Sequence, residues 1–234
     1  MSFRSYVFSA ALAFVMGGAT LTVMQPAAYA QTQQALPADL DAALVASSGS
    51  INDLSTAAAQ LIATNPTLAA QIIERAIELR PDVALQVTAI GAQILPEQAA
   101  GIAAAAASAA PAAAAGIATI AATAAPGEAS AITAAVANVI QGNGVDAVAE
   151  VIAGVSTVVP EASQELVSAT AGNTGFSSGQ ITEALLDVSS EDVQEIVNEA
   201  SSAMGDVASI LSELKKNLDD INLPEPNSNA GSGS

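Results

Sequence analysis

Five prolines stand fifteen residues apart in the middle of the chain, at Pro66, Pro81, Pro96, Pro111 and Pro126. Proline lacks an N–H group and its φ is fixed near the helical value, so it is tolerated in the first turn of a helix and not further inside. It also pushes the preceding residue out of the helical region. Each interval therefore predicts one short helix followed by a tight turn.

The side chains inside the intervals repeat with the same period. An alanine lies three residues after each proline, and Ile or Val lies six residues after it, as in Ile72, Val87 and Ile102. Small or apolar residues follow at offsets ten and thirteen, and this spacing matches one face of an α-helix rather than the alternation of a strand. Because a helix with one apolar face needs a partner, the pattern predicts an all-α fold. We expect an α-solenoid-like array of short antiparallel helices, one per unit of about fifteen residues. The alternative is one long helix kinked at every proline, and each kink would cost about 3 kcal/mol.

The centre of this array is rich in alanine and carries no charge between Gln98 and Gly127. Pro111 divides this run into pieces too short to cross a membrane, so close helix packing is the better interpretation. Alanine buries little apolar area. We therefore expect the outer units, which contain Ile, Leu and Val, to stabilise the alanine-rich centre.

The N-terminal residues have the features of a bacterial signal peptide. Arg4 precedes an apolar segment that closes on Ala28-Tyr29-Ala30, which predicts cleavage after Ala30. The alternative is an uncleaved membrane anchor. The predicted organisation is a signal peptide at 1–30, a helical repeat array at 31–172, a C-terminal helical segment at 173–223 and a disordered tail at 224–234. We expect an exported protein, periplasmic or extracellular, with no membrane span after cleavage.

A longer amphipathic helix is predicted near the C-terminus. Ser189 followed by Asp192 is typical of a helix N-cap. Apolar or small residues then recur at alternating spacings of four and three, which is the pattern of a heptad seam. Two interpretations stay open: a coiled coil with a partner or a second copy, and a cap over the open end of the array. The predicted seam consists of Val193, Val197, Ala200, Met204, Val207, Leu211, Leu214, Leu218 and Ile221.

Composition limits the chemistry that this chain offers. The sequence has 23 acidic and 5 basic residues, a net charge of −18, which repels nucleic acid phosphates, so no nucleic acid partner is expected. It has no His and no Cys, which removes the commonest general base, the commonest metal ligands and any disulfide. The acidic residues are scattered along helices, with no phosphate-binding loop and no serine beside a base. We expect no catalytic residue, cofactor, metal site or small-molecule substrate.

The leading functional hypothesis is an exported, non-enzymatic structural or protein-interaction protein of the bacterial envelope or extracellular space. It rests on the repeat and on the lack of catalytic side chains. One alternative is a self-assembling matrix or filament protein in which the ends of arrays stack. Another is a ligand- or surface-binding module, for example an ice-binding face, because Thr119 and Thr123 lie four residues apart among alanines.

Overall fold

The structure is a computed structural model that describes residues 36–221, with side-chain exposure described for residues 36–216. Within this range the chain forms eleven α-helices and no strand, so the prediction of an all-α repeat array is confirmed. The predicted signal peptide and C-terminal tail lie outside the described residues. The helices are α1 Ala38–Ser47, α2 Ile51–Thr64, α3 Ala69–Leu79, α4 Ala84–Ile94, α5 Ala99–Ala109, α6 Ala114–Ala124, α7 Ala129–Ile140, α8 Val145–Val158, α9 Ser163–Asn173, α10 Ser178–Asp187 and α11 Ser190–Ile221.

The proline-led junctions share one geometry. The residue before the proline leaves the helical region, as Arg80 does with φ −148° and ψ 100°. Proline then begins a three-residue 3₁₀ turn, as in Pro81–Val83, and the α-helix starts at the alanine that follows, Ala84. The proline therefore opens a 3₁₀ turn rather than the α-helix itself. A 3₁₀ turn is tighter than an α-turn, which lets the chain enter the next helix within a few residues.

The helices alternate between two layers. Helices α1, α3, α5, α7 and α9 pack side by side in an odd layer, and α2, α4, α6, α8 and α10 pack side by side in an even layer. The main core lies between the layers and contains the isoleucines at offset six, including Ile72, Ile102, Ile117 and Ile132. Because α10 packs against α8, the even layer continues beyond residue 172 to Asp187.

Helix α11 crosses the outer side of the even layer and contacts α8, α6, α4 and α2. It lies along the side of the array rather than over one open end. A second, smaller core forms beneath it, separate from the main one. The array contributes Ala59, Ala89, Ile90 and Ile120 to this second core, and α11 contributes Ala200, Ala203, Val207, Ile210 and Leu214. The order of layers is therefore odd layer, even layer, α11.

Candidate interaction surfaces

The described residues of the predicted heptad seam face the array of the same chain. Ala200, Val207 and Leu214 are buried, with at most 6 % of their surface exposed. The other described members are half-buried, namely Val193, Val197, Met204 and Leu211. The side chains of Leu218 and Ile221 lie outside the described ones. The structure thus places this seam in an intramolecular interface.

Sequence reasoning missed a second row of contact residues on α11. Ala203 and Ile210 are buried and Ile196 is half-buried, and these three residues also repeat every seven positions. Together with the predicted seam they form a stripe wider than the narrow seam of a coiled coil. Such a width is typical of a helix that packs on a broad globular surface. The heptad repeat of this second row was visible in the sequence and would have indicated the wider stripe.

The length of α11 matches the width of the even layer. From Ile196 to Leu214 the helix advances roughly 27 Å, at about 1.5 Å per residue. Packed helices lie about 8–10 Å apart, so the three spacings from α8 to α2 span roughly 24–30 Å. About one heptad of α11 therefore corresponds to each even helix that it crosses.

A second sequence pattern, with a period of thirty residues, marks the outward surface of the even helices. Ile90 and Ile120 each lie nine residues after a proline, thirty residues apart, and both pack in the second core. In the odd units the same offset holds Arg75, Ala105 and Ala135, and α11 packs on the even helices. A large aliphatic residue at this offset in α4 and α6, but not in the odd units, indicates that the even helices are covered on their outer side. This thirty-residue period is superimposed on the fifteen-residue one and was not predicted.

A chain of polar side chains, buried at Ser55 and Gln86 and exposed at Asp206, ties α11 to two even helices. The Ser55 hydroxyl of α2 donates to Oε1 of Gln86 in α4 at 3.1 Å, and Nε2 of Gln86 donates to Oδ2 of Asp206 in α11 at 2.8 Å. Ser55 is fully buried and Gln86 is 7 % exposed. Because both ends of the Gln86 amide are satisfied, its burial is compensated. A specific polar contact of this kind defines the lengthwise register of α11, which apolar packing alone leaves free to slide.

Glycine permits close helix packing where α8, α6 and α11 meet. A Cβ added at Gly154 of α8 would collide with the Thr119 hydroxyl of α6 and lie 3.1 Å from Cγ2 of Ile196 in α11. Thr119 is fully buried, and its hydroxyl donates to the Ala115 carbonyl at 2.8 Å, so it has little room to move. The absence of a side chain at Gly154 is thus a packing requirement.

We expect Gly154→Ala to lower the free energy of unfolding by about 1–3 kcal/mol through overpacking. Combining it with Thr119→Ala removes the obstructing hydroxyl and is expected to recover part of this loss. A double-mutant cycle measured by urea denaturation tests the coupling. Gly205→Ala is the control, because a Cβ at Gly205 would meet no atom within 4 Å. Helix propensity predicts that this control is stabilising by about 0.5–1 kcal/mol. Strictly additive effects at positions 154 and 119 would contradict the proposed collision.

The outer surface of the odd layer is uncharged at its centre. We name it the alanine face and define it by Gly101, Ala104, Ala105 and Ser108 of α5 with Ala131 and Asn138 of α7. These residues occupy outward offsets of their units, and each is exposed or half-buried, whereas Ala134 and Ala135 at the corresponding offsets of α7 are buried. No described helix crosses the odd layer as α11 crosses the even one. The alanine face is therefore the broad open side of the array.

Charged groups of the odd layer lie on both sides of this face, on α1 and α3 at one side and at Glu165 of α9 on the other. Nε of Arg75 donates to Oδ1 of Asp41 in α1 at 2.6 Å, and its Nη1 donates to Glu78, one turn further along α3, at 3.0 Å. At the end of α3, Arg80 pairs with Asp82 at 2.8 Å, and this contact lowers the pKa of the Asp82 carboxyl. Partial burial raises the pKa of Glu74, and the charge of Glu78 raises it further.

This raised pKa makes a prediction about pH. The folded state holds a proton on Glu74 at a pH where the unfolded chain has released it, so its contribution to stability falls as pH rises through the folded pKa. Above that range the ionised carboxylate destabilises the fold. Glu74→Gln is therefore expected to raise the thermal unfolding midpoint at about pH 7 and to leave it unchanged at about pH 3. Glu150→Gln, on an exposed part of α8, removes the same charge and is the matched control. An equal rise in the unfolding midpoint of both variants at neutral pH would show that the reduced net charge, and not the burial of Glu74, is the cause.

The two threonines considered for a surface-binding face do not share one surface. Thr119 is fully buried between helices, whereas Thr123 is exposed. Near Thr123 a shallow cleft of about 330 Å³ lies between α11 and the ends of α6 and α8. It holds no titratable side chain and is lined by Thr123, Val158, Val197, Ala200, Ser201, Met204 and Gly205.

Among residues 36–221, no group of three or more acidic, His or Cys side chains is close enough to hold a metal ion. No described helix is both long and apolar enough to cross a membrane. No protein-family model matches this chain, and neither a curated protein nor a solved structure matches it. The surfaces described above are therefore the basis for a functional proposal.

Proposed function

We propose that this chain is an exported, non-enzymatic structural or protein-interaction protein of the bacterial envelope or extracellular space, and that it contacts its partner through the alanine face. The observation that carries the proposal is the asymmetry of the array. Its even side is covered by α11 through a second apolar core, whereas its odd side is open and uncharged at the centre. A repeat array with one open side is suited to hold another protein along its length.

The chemistry of the alanine face supports a protein partner. A Cβ added at Gly101 would meet no atom within 4 Å, so the surface there is open to close approach of another backbone. The face itself carries no charged group, and binding therefore requires no desolvation of ions. Its small side chains also lose little conformational entropy when they are covered.

The non-enzymatic part of the proposal rests on the side chains that the sequence provides. The whole chain lacks His and Cys, and its acidic residues are spread along helices. The described cleft contains no group able to transfer a proton near neutral pH. We propose export because residues 1–30 run from a basic residue through an apolar segment to small residues, as signal peptides do.

Site-specific photo-cross-linking tests this function in bacterial cells that make the protein. A photoreactive residue at Ala104 lies on the alanine face, and one at Ala208 lies on the exposed side of α11 and serves as the control. We expect one recurring protein product from position 104 and none from position 208. Identical products from both positions, or no product from position 104, would contradict the proposed surface.

A second candidate, a self-assembling matrix or filament protein, is favoured by the two ends of the array. Helices α1 and α10 each expose a large apolar side chain, Val45 at 46 % and Leu186 at 82 %. End-to-end stacking would cover both. Electron microscopy of concentrated protein is expected to show filaments that Leu186→Glu abolishes, and monodisperse particles at high concentration would reject this candidate.

A further inference from the structure

The junction between α10 and α11 differs from every other helix junction within residues 36–221. Six junctions contain the proline that opens the next 3₁₀ turn, and three contain glycine, at Gly49, at Gly142 with Gly144, and at Gly175. The α10–α11 junction consists of Val188 and Ser189, neither of which prevents a helix. The chain turns here without a residue that forces it to turn.

The turn is held by the non-helical backbone of Val188 and by the Ser189 cap. Val188 has φ −65°, which is already helical, and ψ 121°, which is not. The Ser189 hydroxyl accepts a hydrogen bond from the Asp192 N–H at 3.1 Å and donates to the Asp192 carboxylate at 2.6 Å. A change of the Val188–Ser189 backbone to helical angles, with release of this cap, would join α10 and α11 into one continuous helix over residues 178–221.

Helix α11 is attached to the array by a core of its own. The buried residues that form the main core include none from α11. Those that form the second core lie on α2, α4, α6 and α11, with none from the odd layer among the described residues. The array can therefore keep its main core when α11 leaves. The surface that α11 vacates is apolar and complementary to the apolar stripe of α11. It also presents Gln86, which donates a hydrogen bond to Asp206.

We propose that the junction opens and that two copies of the chain exchange α11, each helix docking on the even layer of the other copy. The occupant of the vacated surface is thus α11 of a second copy, because only that helix reproduces both the apolar stripe and Asp206. The contacts between α11 and the even layer are recovered in such a dimer, so the exchange needs no new complementary surface. Short connections between elements favour exchange of this kind. The inference does not depend on the proposed function.

Cross-linking between two differently labelled chains tests the exchange. The sequence contains no Cys, so Gln86→Cys in one chain and Asp206→Cys in another provide unique sites for a short bismaleimide. The two variants are mixed at high concentration in denaturant just below the unfolding transition, and the denaturant is then removed. We expect a cross-linked heterodimer. The chain that carries both substitutions is expected to cross-link within a monomer when dilute, which shows that the two sites can react.

A proline at the junction provides the decisive variant. Ser190 is the first residue of α11, where proline is well tolerated, so Ser190→Pro keeps the closed chain. In a continuous helix the same proline would be internal, and because both helices of the exchanged dimer carry it we expect at least about a hundredfold less dimer. Ser190→Ala is the matched control and is expected to exchange like the parent. Light scattering on the chain without cysteines measures the same dimer independently. Absence of any dimer in the parent, or equal dimer in Ser190→Pro, would overturn the proposal.

Discussion

Replacement of Val207 by aspartate is expected to detach α11 while the array remains folded. Val207 is fully buried at the centre of the second core. An unpaired carboxylate at this position costs about 3–5 kcal/mol, and the chain avoids this cost by releasing the helix into water. The loss of structure is confined to α11, because the main core contains no α11 residue.

Hydrogen exchange followed by mass spectrometry distinguishes local release from global unfolding. The amides of α11 are expected to lose protection in Val207→Asp, whereas those of α4 and α6 keep most of theirs. Ala208→Asp adds the same charge to the adjacent, exposed position and is the matched control. If both variants leave α11 protected, the second core is not what holds this helix. Loss of protection throughout the array would instead show that α11 is required for the fold of the array.

Ile117→Ala is expected to give the second large effect, a loss of about 2–5 kcal/mol in the free energy of unfolding. Ile117 is fully buried in the main core, in the alanine-rich centre of the array. Its neighbours along α6 include Ala114, Ala118 and Ala121, which are too short to move into the space left behind. Because the cavity left by the substitution cannot collapse, we expect the loss of free energy of unfolding to lie in the upper part of this range.

Urea denaturation monitored by circular dichroism measures this effect. We expect a lower midpoint with an unchanged dependence on denaturant, because the same surface is exposed on unfolding. Leu186→Ala removes a similar number of atoms from a side chain that is 82 % exposed, and it is expected to change stability by less than about 0.5 kcal/mol. A loss of less than about 1 kcal/mol in Ile117→Ala would show that the alanine-rich centre repacks readily.

The repeat could be predicted from the sequence because each of its signals is local. Proline determines where the chain turns, and the alanine and isoleucine that follow determine which face of the helix is buried. Ser189 was likewise identifiable as a cap, and it accepts the expected backbone hydrogen bond from Asp192. These features depend on residues within one or two turns of each other.

The position of α11 could not be predicted in the same way. Its apolar stripe is compatible with a coiled coil, a cap at the end of the array and a helix along its side, and all three bury similar residues. The choice depends on Ile90 and Ile120, which lie far away in sequence and face α11 only after the layers have formed. Gln86 and Asp206, 120 residues apart, meet for the same reason. The alanine face could not be predicted either, because the layers determine which side chains of the odd helices face outward.

The correspondence between heptads of α11 and helices of the even layer restricts how this architecture can change. Duplication of a thirty-residue pair would add one even helix and widen the layer by about 8–10 Å. Helix α11 would then need about seven more residues to cover the added helix. An array that gained a pair without this extension would leave part of its even layer exposed to water. Lineages of such proteins are therefore expected to gain or lose repeats and heptads together, thirty residues in one place with seven in the other.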